Sequence, residues 1–455
     1  MLNKNLLYRE RGNTQRYTEK FSVYFRAYFL CVLCVICIFS NAQDVMTVEQ
    51  AVELALKNNY DIQIANNRTE IASLNNTVGN AGMLPNANVT VSDNASLNHL
   101  DQKLANGTET LKNGVVGNTI NPSLNITWTL FDGLKMFATK NKLKRLEQIG
   151  ELNYKDTLQT VVAQTITAYY NVVSANQELK AIDEAIKISE ERVKVAQKQF
   201  DVGISSKVDL LQAKVDMNEQ KSALMNQRTI IEEKKADLNK ILSRNADTDF
   251  NTIDSIPFDY DPKLIDANEL ESKNYQLLAA MKNVEVMKYA KKEAFSQFLP
   301  NLAVNGGYGF NRTQSSAGFS LYNQTYGLNG GFTLTIPLFN GLVYLNQYKI
   351  AGIQMQNTQF ALEKASMQTK INYYKALKDF ETAKDVLKLE EENITYADEN
   401  VKIALERFRL AQSTTIELRT AQQSFEDAQT RLVNARFNAK SAETELMRLQ
   451  GDLVK

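Results

Sequence analysis

The sequence predicts a mainly α-helical fold with a smaller β part, built as a half that occurs twice. Three observations predict it. Long stretches without proline carry an apolar seam that repeats every seven residues. Two pairs of shorter segments alternate apolar and polar residues instead. Landmarks in the first half return in the second: Phe131-Asp-Gly-Leu134 as Phe339-Asn-Gly-Leu342, and Phe200–Ala213 as Phe408–Ala421, each 208 positions on. Asn59-Tyr60 and Leu84-Pro85-Asn86 match Asn274-Tyr275 and Leu299-Pro300-Asn301, 215 positions on.

Residues 1–42 read as a signal peptide. Lys4, Arg9, Arg11, Arg16, Lys20 and Arg26 precede the apolar run Ala27–Phe39, and Ser40-Asn-Ala42 supplies a small-x-small cleavage site. The run is too short to span a bilayer comfortably. Cys31, Cys34 and Cys37 all lie in it, so the mature chain from Gln43 carries no thiol, disulfide or cysteine–zinc site. Ile36 and Leu33 are not small, which argues against lipidation at the cysteine that follows each. Without the leader, 46 basic residues face 50 acidic ones. That balance gives no case for nucleic acid as a partner.

Residues 43–244 form the first repeat. Thr47 and Gln50 make a capping box, and an apolar face of Ala51, Leu54, Ala55, Ile62 and Ala65 predicts a helix running to Leu84-Pro85. The period then changes. Strands are expected at about 87–98 and 120–131, where Val89 and Val91, then Leu124, Ile126, Trp128 and Leu130, alternate with Ser, Thr and Asn. Each segment has the length of a tilted membrane strand, aromatics gather along them, and the polar partners suit a watery lumen. Four strands are too few to close a barrel, so several chains must share one.

From Leu134 to Phe200 one helix is expected, on the order of 100 Å long. Its seam is Val172, Leu179, Ile186, Val193 and Phe200, with the small residues Ala175, Ser189 and Ala196 beside it. Gly203 stops the helix, and Ser206 and Asp209 form a capping box that starts the return helix to about Leu242. Residues 245–263 read as a proline-containing acidic linker. The second repeat, 264–455, follows the same plan, with strands at about 302–312 and 326–339 and a seam of Phe380, Leu387, Ile394, Val401 and Phe408. At its turn Ala411 stands where Gly203 stood, and Thr414 and Glu417 form the capping box.

Nothing in the sequence has the makings of an enzyme. There is no nucleophile with a base, no phosphate loop and no histidine–carboxylate set for a metal, and the single histidine, His99, lies in a polar loop. No cofactor is expected.

Thr47–Asn59, Leu84-Pro85, Phe131–Leu134, Phe200–Ala213 and their second-half counterparts resemble the TolC-type outer membrane efflux family over essentially the whole mature chain. The resemblance implies a homotrimer in the outer membrane that extends into the periplasm. Long helical hairpins would form a trimeric periplasmic α-barrel, and four strands per chain would enter a shared twelve-stranded β-barrel. The implied function is the passive exit duct of a tripartite efflux system, driven by an inner-membrane RND or ABC pump through a periplasmic adaptor. The adaptor would meet the tips Val202, Gly203, Ile204, Ser205 and Ser206, and Leu410, Ala411 and Gln412. The periplasmic gate would fall on Glu417, Thr420, Ser413 and Asp209. Glu417 matches an acid that lines the family's constriction, while Thr420 replaces a second one. An Arg and a Tyr that lock the closed state in the family fall on Ser413 and Phe408. Asp209 and Glu417 also read simply as helix caps. The same architecture serves a type I secretion duct for polypeptides. A secreted coiled-coil scaffold without a pore would explain the helices but not the alternating segments.

Overall fold

The computed structural model describes residues 45–258 and 265–454. Residues 1–42, read above as a signal peptide, and residues 259–264 of the expected linker lie outside them. In chain order the elements are β1 (Val45–Met46), α1 (Val48–Asn58), α2 (Tyr60–Asn75), β2 (Asn86–Lys103), β3 (Glu109–Asp132), α3 (Lys135–Asp201), α4 (Lys207–Ile241) and β4 (Asn251–Thr252). The second half follows with α5 (Ala267–Lys273), α6 (Tyr275–Ser296), β5 (Asn301–Ser315), β6 (Tyr322–Thr335), α7 (Val343–Arg409) and α8 (Thr415–Gln450).

The two long helices appear as expected, 67 residues each. Both start from a left-handed pair, Gly133-Leu134 and Gly341-Leu342. Seam residues Val172, Phe380, Leu387, Val401 and Phe408 are buried, and Ala175, Ser189, Ala196 and Ala404 let neighbouring helices approach. Phe200 departs from its twin. It is 37% exposed where Phe408 is 1%, because Phe408 packs with Ala196, Leu210 and Ala213 of the first hairpin.

The single helix expected from Thr47 to Leu84 is two helices, and it ends at Asn75. Asn59 is the cause. Its Oδ1 accepts from the backbone N–H groups of Asp61 (2.8 Å) and Ile62 (3.2 Å), starting α2 afresh. Its amide nitrogen also donates to the Ile241 carbonyl at the end of α4 (2.8 Å). Asn274 divides α5 from α6 in the same way, accepting from Leu277 N–H (3.0 Å) and donating to the Leu449 carbonyl at the end of α8 (3.4 Å). The 245–263 segment is likewise more than a tether. Its β4 pairs in parallel with β1, and Phe250 and Ile256 join a core of Met46, Ala55, Tyr169 and Leu238 at mid-height.

The four long strands form one antiparallel sheet in the order β2-β3-β5-β6. β2 and β3 extend beyond the expected segments, leaving only residues 104–108 as a loop. β6 stops at Thr335, opposite Asn301 where β5 begins, instead of running to 339. Pro337 offers no N–H, and Pro300 precedes the partner strand, so the ladder cannot continue. The register puts Trp128, Val304 and Phe332 in one row and Leu124, Tyr308 and Leu328 in another. This apolar face is bare: Leu328 is 87% exposed and Phe332 78%. The opposite face carries Asn and Thr pairs such as Asn305–Thr333 (3.2 Å) and Thr119–Thr313 (3.4 Å). Among the described residues β2 and β6 each have an open edge, and no helix is long and apolar enough to cross a membrane.

Candidate functional site at the hairpin tips

The hairpin α3–α4 turns at Gly203 and the hairpin α7–α8 at Ala411. In the first turn Ile204 N–H donates to the Gln199 carbonyl (2.8 Å) and Gly203 N–H to that of Phe200 (3.0 Å). This is the doubled bond pattern that follows a left-handed residue, and Gly203 sits at φ +76°. The second turn repeats both bonds, Gln412 N–H to Arg407 (2.8 Å) and Ala411 N–H to Phe408 (3.1 Å). Ala411 holds φ +57°, a strained conformation for any residue with a Cβ. Ala411→Gly is therefore expected to stabilise the second turn by about 0.5–1 kcal/mol, the relief of ~1–2 kcal/mol being partly offset by unfolded-chain entropy. Slower limited proteolysis at the tip would show it, and Gly203→Ala should move the other way.

Asp209 is a fully engaged cap. Its carboxylate accepts from Ser206 N–H (3.2 Å), Ser206 Oγ (2.7 Å) and Ser205 Oγ (3.1 Å), while Asp209 N–H donates to Ser206 Oγ (3.2 Å). The hydrogen bonds from Ser206, then Ser205, hold its carboxyl below the usual range.

The box expected at Thr414 and Glu417 is only half made. Glu417 N–H donates to Thr414 Oγ1 (3.1 Å), but its carboxylate does not reach back to the Thr414 N–H. It is taken by Arg407 Nη1 (2.6 Å) and Ser413 Oγ (2.9 Å) instead. Arg407 Nη2 also donates to the Gln412 carbonyl (3.3 Å), strapping the turn. A charged donor outcompetes a backbone N–H for a carboxylate. Among the gate candidates the structure thus joins Ser413 to Glu417. Asp209 stays in its own turn, and the Thr420 hydroxyl returns to the Ile416 carbonyl of its own helix (3.0 Å). Around these groups the tip surface is apolar: Val202, Ile204, Val208, Leu410 and Ile416 are all well exposed.

Above the tips the hairpins are joined by groups that the heptad pattern does not reveal. Gln199 Nε2 donates to the Phe408 carbonyl (2.9 Å). Higher up, Arg192 is 1% exposed and pairs with Asp216 (2.6 Å). Gln422 Oε1 accepts from Arg192 Nη1 (3.3 Å), and its amide reaches Ser189 Oγ (2.7 Å) and Glu426 (2.9 Å). Arg419 lies 3.4 Å from Asp216. These side chains line a half-open polar cavity of about 180 Å³. Burial pushes the Glu426 carboxyl up, against hydrogen bonds from Gln422 and Gln220. Arg192 stands one residue before the seam position Val193, so in sequence it looks like an ordinary surface charge. Among the described residues no group of side chains could hold a metal ion.

The description "Outer membrane efflux protein" belongs to the family that matches residues 51–244 and 267–452. The chain is 20% identical to the outer membrane protein TolC of Escherichia coli (strain K12) over 337 residues, 72% of this chain and 68% of that one. It is similar in fold to the CmeC outer membrane channel of Campylobacter jejuni, with a TM-score of 0.75 at 18% identity, covering 89% of this chain and 85% of that chain. The open state of the Neisseria gonorrhoeae MtrE outer membrane channel matches with a TM-score of 0.72 at 15% identity, covering 90% and 89%.

Proposed function

Because the chain belongs to the outer membrane efflux protein family, located in the outer membrane and reaching into the periplasm, we propose that it is the passive exit duct of a tripartite efflux system. Three copies would assemble into one tunnel. A periplasmic adaptor, coupled to an inner-membrane pump, would dock on the apolar tips Val202, Ile204 and Leu410. Small molecules would then leave through a water-filled bore, with the energy supplied by the pump. The gate would lie where the tips of the three copies converge, with Glu417 and Ser413 near its narrowest point.

The observation that carries this reading is the four-stranded sheet with a bare apolar face and two open edges. Open edges are not tolerated in lipid, so β6 of one copy must pair with β2 of another. The duplication gives the helical part of that joint. Gly133 packs against the end of α6, where an added Cβ would lie 2.4 Å from Ser296 O and 2.8 Å from Leu299 Cβ. A Cβ added at its twin Gly341 would meet nothing within 4 Å among the described residues. Shifting the contact by the two repeat offsets puts Gly341 against Ala81 and Leu84 of the partner subunit. Gln429 bonds Glu184 between the hairpins (2.6 Å). The shifted pair is Lys221 with Glu392 of the partner subunit, and the two charges are complementary. Phe200, left exposed in the chain, would be covered as Phe408 is. Such a head-to-tail joint closes a ring.

The mature chain lacks cysteine, which makes the test clean. Lys221→Cys combined with Glu392→Cys should give a trimer linked by a short bis-thiol reagent, while each single change should not. Lys221→Glu should weaken the trimer and Glu392→Lys added to it should restore it. A folded, monodisperse monomer in mild detergent would sink the shared duct. With assembly established, a photo-reactive probe on Ser206→Cys should capture an adaptor in cells. If a mid-helix probe captures a partner and the tip probe does not, the tips are not the docking surface.

A further inference from the structure

We propose that Arg407 sets the ionic selectivity of the constriction, cancelling the charge of Glu417 so that the duct admits anions about as readily as cations. This rests on the reading that the tips form the narrow end of the tunnel. An acid at a constriction acts by its net fixed charge, multiplied by the copies around the axis. Glu417 does not present a free carboxylate. Arg407 Nη1 sits 2.6 Å from its Oε1, and the guanidinium is held in place by its second bond, to the Gln412 carbonyl (3.3 Å). The two side chains are 49% and 45% exposed, so their charges bear on the water at the tip instead of being sealed in the core.

The rest of the tip does not restore a negative field. In the first turn Lys198 and Lys207 balance Asp201 and Asp209. In the second, Glu406 and Glu417 balance Arg407 and Arg409, while Arg419 is turned to Asp216 (3.4 Å). Glu406 is itself paired with Arg409 (2.6 Å). A ring of this composition has no net acid to concentrate cations. Arg407 is the side chain whose removal would leave one carboxylate per copy uncompensated.

The test is the reversal potential of the full-length trimer in planar bilayers across a potassium chloride gradient, with the dilute side near 0.01 M, where the screening length is about 30 Å. The wild type is expected to be nearly unselective. Arg407→Gln should raise the cation-to-anion permeability ratio about fivefold, the order of effect of one charge a few ångströms from an ion's path in water. Glu417→Gln should lower it by a similar factor, and the double variant should return to the wild-type value. Arg407→Lys, which keeps charge without the fork, should stay near wild type. SDS-resistant trimers in every variant show that the assembly is intact. If Glu417→Gln shifts the ratio but Arg407→Gln does not, the cancelling role is overturned and the tip reading stands. If neither shifts it, the tips are not the constriction, and both readings fall.

Discussion

Gly133→Ala is expected to prevent the chain from reaching its folded form, while Gly341→Ala should fold and then fail to assemble. At Gly133 two penalties add. The backbone sits at φ +69°, which costs a residue with a Cβ about 1–2 kcal/mol. The new methyl group would also overlap the Ser296 carbonyl at 2.4 Å and Leu299 Cβ at 2.8 Å. Backbone cannot step aside as a flexible side chain can, so overpacking adds about 1–3 kcal/mol or more. The sum, roughly 2–5 kcal/mol, is a large share of an ordinary domain's stability. Gly341 shares the backbone strain, at φ +65°, but among the described residues of its own chain a new Cβ would meet nothing within 4 Å. Its steric penalty arises only when a second copy docks. Folded monomer yield should therefore separate from trimer yield: Gly133→Ala lowers both, and Gly341→Ala lowers chiefly the second. Equal behaviour of the two variants would mean that the repeat offsets do not carry the contact across the joint.

Much of this fold is legible in the sequence because its largest elements are periodic. A seven-residue seam from Val172 to Phe200, within a stretch that no proline interrupts, reads as a long helix, and strands that are wet on one side and apolar on the other alternate by necessity. The errors fall where that regularity ends. β2 and β3 run on to Lys103 and Glu109, yet the alternation fades, because both faces of the extension meet water and no longer differ. The apolar stripe continues past Asn59, which hides the break that the Asn side chain makes. Its decisive bond reaches Ile241, 182 residues away. The tip misleads for the opposite reason: a short-range pattern is too persuasive. Thr414-x-x-Glu417 has the form of a capping box, but Arg407, ten residues earlier and across the turn, takes the carboxylate. Local patterns propose partners; the fold decides between them.

Arg192→Met should cost about 3 kcal/mol in thermal or denaturant unfolding of the detergent-solubilised protein. Breaking a buried ion pair by removing one member costs roughly 3–5 kcal/mol, since the other charge stays buried without it. The lower end applies here. Asp216 keeps Gln212 Nε2 at 2.7 Å and Arg419 at 3.4 Å. Removing both charges, with Arg192→Met and Asp216→Leu together, should recover most of the loss, because methionine and leucine fill the space without a desolvated charge. A pH signature separates this from simple cavity formation. Burial already holds the Glu426 carboxyl above its ordinary value, and the Arg192 charge opposes that rise. A carboxyl raised in the folded state binds protons more tightly there than in the unfolded chain. Stability is therefore lost as pH climbs from the ordinary carboxylate range through the raised value. Taking away Arg192 lifts Glu426 further and widens that window. The deficit of Arg192→Met should thus grow as pH rises from the ordinary carboxylate range through the raised Glu426 value, and Glu426→Gln in the same chain should flatten it. A deficit independent of pH would mean that Arg192 contributes packing alone and that the polar cavity between the hairpins does not sense protons.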